Sequence, residues 1–491
     1  MTIRDLYTRN DIGILFFCKT LTDEQKCAAA LINHWFIRAA LVIRKKTDCK
    51  EVHILKLDKL KKELLLSIEN VCQSPDSAVM KPGRDFTRNR KLPLFEVIRC
   101  IVAMGGSSMK HELLEILGYS PDTATSSAFI QQRAKLKPEA LKMVMDAFNY
   151  RCGKFRKKKN LRVLAVDGSD IQIPTNPEDP ETFFPGSNGQ APYNLLHLNA
   201  LYDLHNQIYT DVRFGRNEHA AFVDMIDSSN IGKALVIADR GYESFNDMAH
   251  VQEKGWYFLI RVRDSTDNGI KRGFDLPSDD EFDMPVELNL TRKQTKSIKE
   301  LLKDRNSYRF IAHTTPFDFL PARSRKCDPA VFYLLKFRIV RFRIMDELYE
   351  TLLTNLPSDE YPLDKLRGLY NQRWGIETSF RSLKYTTGLL HLHSKKVACI
   401  KQEIYAKIIM YNFTEMVTSH VIIKTRKRKY IYKANFTIAT HMCRMFLRNK
   451  ASPPEVEAMI VRETVPVRPG RARPRFMKAT RTYICFSYKV A

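Results

Sequence analysis

The sequence predicts a multidomain protein of the α/β class, and three observations carry that prediction. At 491 residues the chain is too long for one compact core, so two to four domains are expected. The apolar spacing changes from helical to strand-like near residue 161 and becomes helical again near 362. Between those points the order is three strands, a helix, a strand, a connection and a strand. Such an order closes naturally as a mixed sheet flanked by helices.

Residues 1–155 read as helical. Leu55, Leu57, Leu60 and Leu64 recur near helical spacing, and 92–117 holds two apolar segments broken at Gly105-Gly106. Just before them, 81–91 (KPGRDFTRNRK) is crowded with cations, a composition suited to a polyanion such as DNA. Basic helices are also commonly just solvated.

A sheet is expected over 156–263. LRVLAVDGS is a strand ending on an acid, and NLLHLNALYDL and NQIYTDVRF add a meander. NEHAAFVDMIDSS reads as a helix, ALVIADRGY as a short buried strand again ending on an acid, and GWYFLIRVR as a fifth strand. Residues 264–345 predict a β-rich insertion. A helix is expected over 362–387, with Pro362 in its first turn and Gly388 at its end. The sheet region is expected to resume over 346–400. The last part, 401–491, reads as helix and then as a cationic tail. KTRKRK occupies 424–429, and 462–481 holds seven basic residues against one acid, a composition for extended, backbone-binding chain.

The composition narrows the partners. Lys plus Arg number 80 against 55 Asp plus Glu, a formal charge of +25, and the pI is about 9.6. That excess draws the chain toward nucleic acid. The ten cysteines include no CxxC pair, which argues against a zinc module or a disulfide framework and fits a reducing cytosol. No apolar run is long enough to span a bilayer and no signal-peptide pattern opens the chain, so a cytoplasmic protein is expected.

Two features point to chemistry. Asp167 and Asp239 each close a buried-looking strand, and carboxylates that converge at a sheet end repel unless a cation intervenes. Oxygen donors there favour Mg²⁺ or Mn²⁺. The plainer reading of either acid is a cap on a loop, and Asp170 is an alternative ligand to Asp167. The second feature is the stripe in YNQRWGIETSFRSLK. At about 100° per residue, Tyr370, Arg373, Glu377 and Lys384 fall within roughly 60° of one another. Leu369, Ile376, Phe380 and Leu383 form an apolar stripe offset by roughly 80°. An intrahelical ion-pair face is the competing reading, since Arg373 and Glu377 are four apart. The H-x-H of His391 and His393 has no third ligand nearby in sequence, and reads as DNA-side or packing.

With these residues in place, the chain resembles the DDE transposases of bacterial insertion sequences, in the branch named after insertion sequence four. Tyr370, Arg373, Glu377 and Lys384 match that branch's Y-(2)-R-(3)-E-(6)-K pattern without a gap. VDGSD at 166–170 and ADRGY at 238–242 look like its first and second acid motifs. The resemblance covers about 85 to 450.

It implies a ribonuclease-H-like catalytic core with a β-rich insertion, between helical N- and C-terminal DNA-binding parts. It further implies catalytic metal ligands Asp167, Asp239 and Glu377, holding two divalent ions, Mg²⁺ or in its place Mn²⁺. Tyr370, Arg373, Lys384 and Arg240 are the implied DNA contacts. The expected partners are double-stranded DNA with terminal inverted repeats and target DNA, bound by a dimer on two ends in the bacterial cytoplasm. Some relatives stack an aromatic residue of the insertion on a flipped base; here the candidates are Phe310, Phe317 and Phe319. Two rival readings are a catalytically silent DNA-binding descendant and a nuclease of the same fold that cuts without joining.

Overall fold

The computed structural model describes residues 57–88, 90–153, 160–186, 191–264, 269–320, 331–345, 348–421, 423, 430–468 and 487–488. The helical expectation for residues 1–56, the 424–429 run and residues 469–481 of the tail lie outside them.

Among the described residues six helices precede the first strand: α1 (Leu57–Gln73), α2 (Pro75–Ala78), α3 (Leu94–Ala103), α4 (Met109–Leu117), α5 (Ser126–Arg133) and α6 (Glu139–Gly153). On α1, Leu57, Leu60, Leu64, Ile68 and Val71 are buried, the three-and-four spacing that turns one face of a helix to a core. The break at Gly105-Gly106 separates α3 from α4, where Ser108 accepts from the His111 amide and caps the new helix.

Among the described residues ten strands make one mixed sheet: β1 (Arg162–Ile173), β2 (Phe183–Phe184), β3 (Tyr193–Asp203), β4 (Ile208–Phe214), β5 (Ala234–Ala238), β6 (Tyr257–Val262), β7 (Phe282–Thr291), β8 (Tyr308–Phe310), β9 (Tyr333–Met345) and β10 (Leu348–Thr354). β3 pairs antiparallel with both β1 and β4, the expected meander. β1, β5 and β6 run parallel. Helix α7 (Glu218–Asp227) precedes β5, and α8 (Phe245–Glu253) is the β5-to-β6 crossover that a parallel pair requires. The sequence pattern alone gives a connection at α8, where the structure has a helix. All five residues of β5 are buried, as in a strand covered on both faces.

The β-rich segment after β6 does not form a sheet of its own. β10 pairs antiparallel with β6, placing Leu353 opposite Ile260, and β9, β7 and β8 continue outward. The open edge of β6 is thereby satisfied rather than exposed. A short helix, α9 (Lys296–Leu301), interrupts these strands.

Alternation divides the core in two. Val163, Ala165, Leu235, Ile237 and Leu259 pack with the helical body. Their neighbours Leu164, Val166, Val236, Ala238 and Phe258 pack on the opposite side with α7, α8 and the added strands. After the sheet come α10 (Leu363–Tyr370), a 3₁₀ turn (Asn371–Arg373) and α11 (Trp374–Tyr385), where one continuous helix was expected. Helix α12 (Val397–His420) is buried along most of its length and runs across position 400. It packs against α3, α6, β4 and α13 (Phe436–Leu447), which is followed by α14 (Pro453–Arg462). No described helix is long and apolar enough to cross a membrane.

Candidate active site

The site begins where two strands part. The parallel ladder between β1 and β5 ends at Ala165 opposite Ile237, whereas the antiparallel pairing of β1 with β3 continues to Ile173. Asp167 is therefore inside a longer strand than expected, yet just past the end of the parallel ladder. Asp239 follows β5 directly. A cleft at the carboxyl ends of diverging parallel strands is a usual place for chemistry in such sheets.

Asp167 accepts from the Gly168 amide at 2.9 Å, and its side chain is 22% exposed. Its pKa is pushed up to about 7, first by burial; the Arg373 guanidinium opposes this, while the charges of Asp239 and Glu377 add to it. The three expected acids thus share one electrostatic neighbourhood. Asp239 accepts from the Gly241 amide at 2.8 Å and caps the 3₁₀ turn Arg240–Tyr242, on which Arg240 is exposed. Glu377 lies in the first turn of α11, where a carboxylate suits the helix dipole.

Arg373 is only 4% exposed. Its Nη2 donates to Glu377 Oε1 at 2.7 Å, and its Nη1 stands 3.9 Å from Asp167 Oδ2. Burial works against its charge, but Tyr370, Glu377 and Asp167 hold its pKa above the usual value. Tyr370 is 3% exposed, and its buried hydroxyl has no hydrogen-bond partner among the described residues. Lys384 Nζ donates to the Asp170 carbonyl at 3.0 Å, tying α11 to β1; burial lowers its pKa.

The four-residue stripe is therefore not a uniform exposed shoulder. The 3₁₀ turn at 371–373 advances about 120° per residue, which rotates Tyr370 by roughly 60° and Arg373 by about 20° relative to Glu377, and both are buried. Ile376, Phe380 and Leu383 are buried as the apolar stripe predicted.

Two residues that sequence reasoning missed stand beside Asp167. His197 Nδ1 is 2.7 Å from Asp170 Oδ1, and its Nε2 lies 3.0 Å from Glu218 Oε1. Hydrogen bonding to Asp170 and then Glu218 pushes the His197 pKa up to about 9, so it is a cation at neutral pH. The fit requires glycine at 168, where a Cβ would approach both Glu218 Oε1 and His197 Nε2 to 2.6 Å. Only the β1–β3 register, which sets Asp170 opposite His197, reveals this pair. The H-x-H is a packing element. His393 is buried against Glu403 and the Ser107 carbonyl, and His391 lies over Gly106.

As placed, no three His, Cys, Asp or Glu side chains among the described residues are grouped closely enough to hold a metal ion. The donor chemistry nevertheless fits a hard divalent cation. The acids supply only oxygen, and the pKa of Asp167 is raised by burial first and then by the charges of Asp239 and Glu377, both of which a bound cation would offset.

Asp167 inside β1, Asp239 directly after β5 and Glu377 on α11 thus share one electrostatic neighbourhood on a mixed sheet. The family model described as a transposase DDE domain matches residues 158–413, more than half of the chain. The chain belongs to the DDE transposase family, among those of insertion sequences related to IS4 and IS231. It is 24% identical over 428 residues to transposase InsG for insertion sequence element IS4 of Escherichia coli K12, covering 80% of this chain and 86% of that one. It is 22% identical over 310 residues to the transposase for insertion sequence element IS231F of Bacillus thuringiensis subsp. israelensis, covering 57% of this chain. That match spans 62% of the relative, so the chain covers less than two thirds of its length. Among solved structures, the piggyBac transposase synaptic complex with hairpin DNA aligns at 12% identity and a TM-score of 0.39, covering 86% of this chain and 80% of that one.

Proposed function

We propose that this protein is an active transposase that cleaves DNA at the ends of its own mobile element and joins them to target DNA in the bacterial cytoplasm. The observation that carries this reading is the electrostatic coupling of Asp167 to Asp239 and Glu377 at the end of the β1–β5 ladder. The strand order β4-β3-β1-β5-β6, antiparallel in its first three members and parallel in its last three, supports a ribonuclease-H-like core. The division into a helical part (1–155), a core (156–263 and 346–400), an insertion (264–345) and a basic C-terminal part (401–491) belongs to the same proposal.

Asp167, Asp239 and Glu377 would hold two divalent ions, Mg²⁺ or Mn²⁺. Such ions supply a lowered pKa for an attacking water or 3′-hydroxyl and neutralise a leaving oxygen. The chain's own residues prepare that site. Arg373 holds Glu377 and stands beside Asp167, offsetting the repulsion that would otherwise spread the acids. Lys384 fixes the α11-to-β1 spacing through the Asp170 carbonyl. Arg240, exposed beside Asp239, and Arg381, exposed on α11, present cations to a backbone phosphate. Contact of Tyr370 or Arg373 with a phosphate requires the 371–373 turn to move outward, because both are buried. Water and then the DNA 3′ end act as nucleophiles, so no protein nucleophile is needed. Of the aromatic candidates for a flipped base, Phe317 is buried and Phe319 stacks on Tyr333, which leaves half-buried Phe310 the best placed.

The test is single-turnover cleavage of a duplex spanning the junction between the element and its flank. Cleavage is expected with Mg²⁺ or Mn²⁺ and binding alone with Ca²⁺. Joining of a pre-cleaved end separates a transposase from a nuclease. Binding without any cleavage would favour a silent descendant.

A further inference from the structure

Resting on the DNA-end reading above, we infer that α5 and the cationic strap beside it form the sequence-reading surface for duplex DNA, with α5 entering the major groove. The helix has two distinct faces. Phe129 and Arg133 point into the protein and are buried. Arg133 is anchored by Gln402 at 2.9 Å, Glu403 at 2.8 Å and the Cys399 carbonyl at 2.5 Å, all on α12. At about 100° per residue, Ser127, Ile130, Gln131 and the capping residue Ala134 fall on the opposite face. All four are exposed, Ile130 to 43%. That face holds groups that read base edges: an amide and a hydroxyl for hydrogen bonds, and two apolar groups for a thymine methyl. Gln131 Nε2 donates to Ser127 Oγ at 3.4 Å, so the two polar groups lie side by side. An eight-residue helix is roughly 12 Å long, about the width of the major groove.

The strap supplies the charge that identifies the occupant. Val79 bridges to Leu136 and the Met80 amide donates to the Lys135 carbonyl, fixing one end beside the C-terminus of α5. Lys135 lies over the Phe86 ring at 5.6 Å. At the other end Lys91 pairs with Asp122 at 3.1 Å, just before α5 begins. Between these anchors Lys81, Arg84, Arg88 and Arg90 are exposed, and the turn is shaped by positive φ at Gly83 and Phe86. A helix anchored on α12, with base-reading groups on its exposed face and an exposed cationic strap tied down near both of its ends, matches a DNA groove and its backbone.

The experiment selects binding sites from a random-sequence duplex library, using the full chain and its variants, and measures salt dependence on the recovered duplex. Gln131→Ala is expected to lower the ratio of selected to scrambled binding roughly tenfold, with an unchanged melting temperature. Gln131→Arg is expected to move the preference at one base pair toward guanine, a shift that a folding defect does not produce. Arg84→Ala and Arg88→Ala should weaken selected and scrambled duplexes alike, each reducing the salt slope by about one. If Gln131→Ala and Gln131→Arg recover the wild-type motif unchanged, the inference is overturned while the function stands. A wild-type chain that retains no duplex overturns both.

Discussion

Two buried arginines separate an ion pair that fastens helices from one at the candidate site. In the helical body Arg133 meets Glu403, which also accepts from the His393 amide and ring, and every contact is 3.2 Å or shorter. Glu112 nearby accepts from the Gly105 and Ser107 amides and from Arg448. Burial alone would raise the pKa of Glu403, yet Arg133 and His393 hold it down at about 2. At the 3₁₀ turn before α11, Arg373 meets acids of the same kind with the opposite outcome. Asp167 has its guanidinium at 3.9 Å and two further carboxylates in range, and its pKa rises to about 7. A saturated carboxylate fastens helices together, whereas an under-neutralised one keeps a claim on a cation.

The largest expected effect lies at the candidate site. Asp167→Asn or Glu377→Gln should cut cleavage by at least about 10²-fold, the scale for losing one group that stabilises developing charge. DNA binding and melting temperature should stay close to wild type. Normal cleavage by Glu377→Gln would remove the distinction drawn above.

In the helical body the consequence should be stability. Arg133→Met strands the buried charge of Glu403 and should cost about 3–5 kcal/mol in urea unfolding. Arg373→Met should cost less, because Asp167 and Glu377 retain partial access to solvent, at 22% and 31% of their side chains. Equal losses would mean that the two arginines do the same job.

A third measurement is the melting temperature with added divalent ion. Mg²⁺ at about 100 times its dissociation constant should add roughly 2.7 kcal/mol to wild type and little to Asp167→Asn, since only binding to the native state stabilises. A shift of equal size in both proteins would place the ion elsewhere.

The smallest effect concerns pH. His197 has its folded pKa raised to about 9, so its contribution is complete below pH 6.5 and lost as pH rises through 9. The melting difference between wild type and His197→Gln should shrink over that window. Glu403, with its folded pKa lowered to about 2, contributes above pH 4.5 and loses that contribution only as pH falls through 2. A wild-type and His197→Gln pair whose difference is flat from pH 6 to 10, within about 0.5 kcal/mol, would show His197 uncharged in the fold.

Local pattern determined much of this protein. Three-and-four spacing of leucines placed α1, the change of period placed β1, β3, β4, β5 and β6, and Tyr370, Arg373, Glu377 and Lys384 led to the family. These are features of neighbouring residues and of spacing, which one-dimensional reasoning handles well. Tertiary structure alone decided the rest. The 3₁₀ turn buried Tyr370 and Arg373, and the edge of β6 recruited β10, making the insertion part of the sheet. His197 met Asp170 and Glu218 through strand register, and Arg133 found Glu403 across 270 positions. Desolvation and pairing energies depend on what lies within a few ångströms, and that distance is unrelated to separation along the chain.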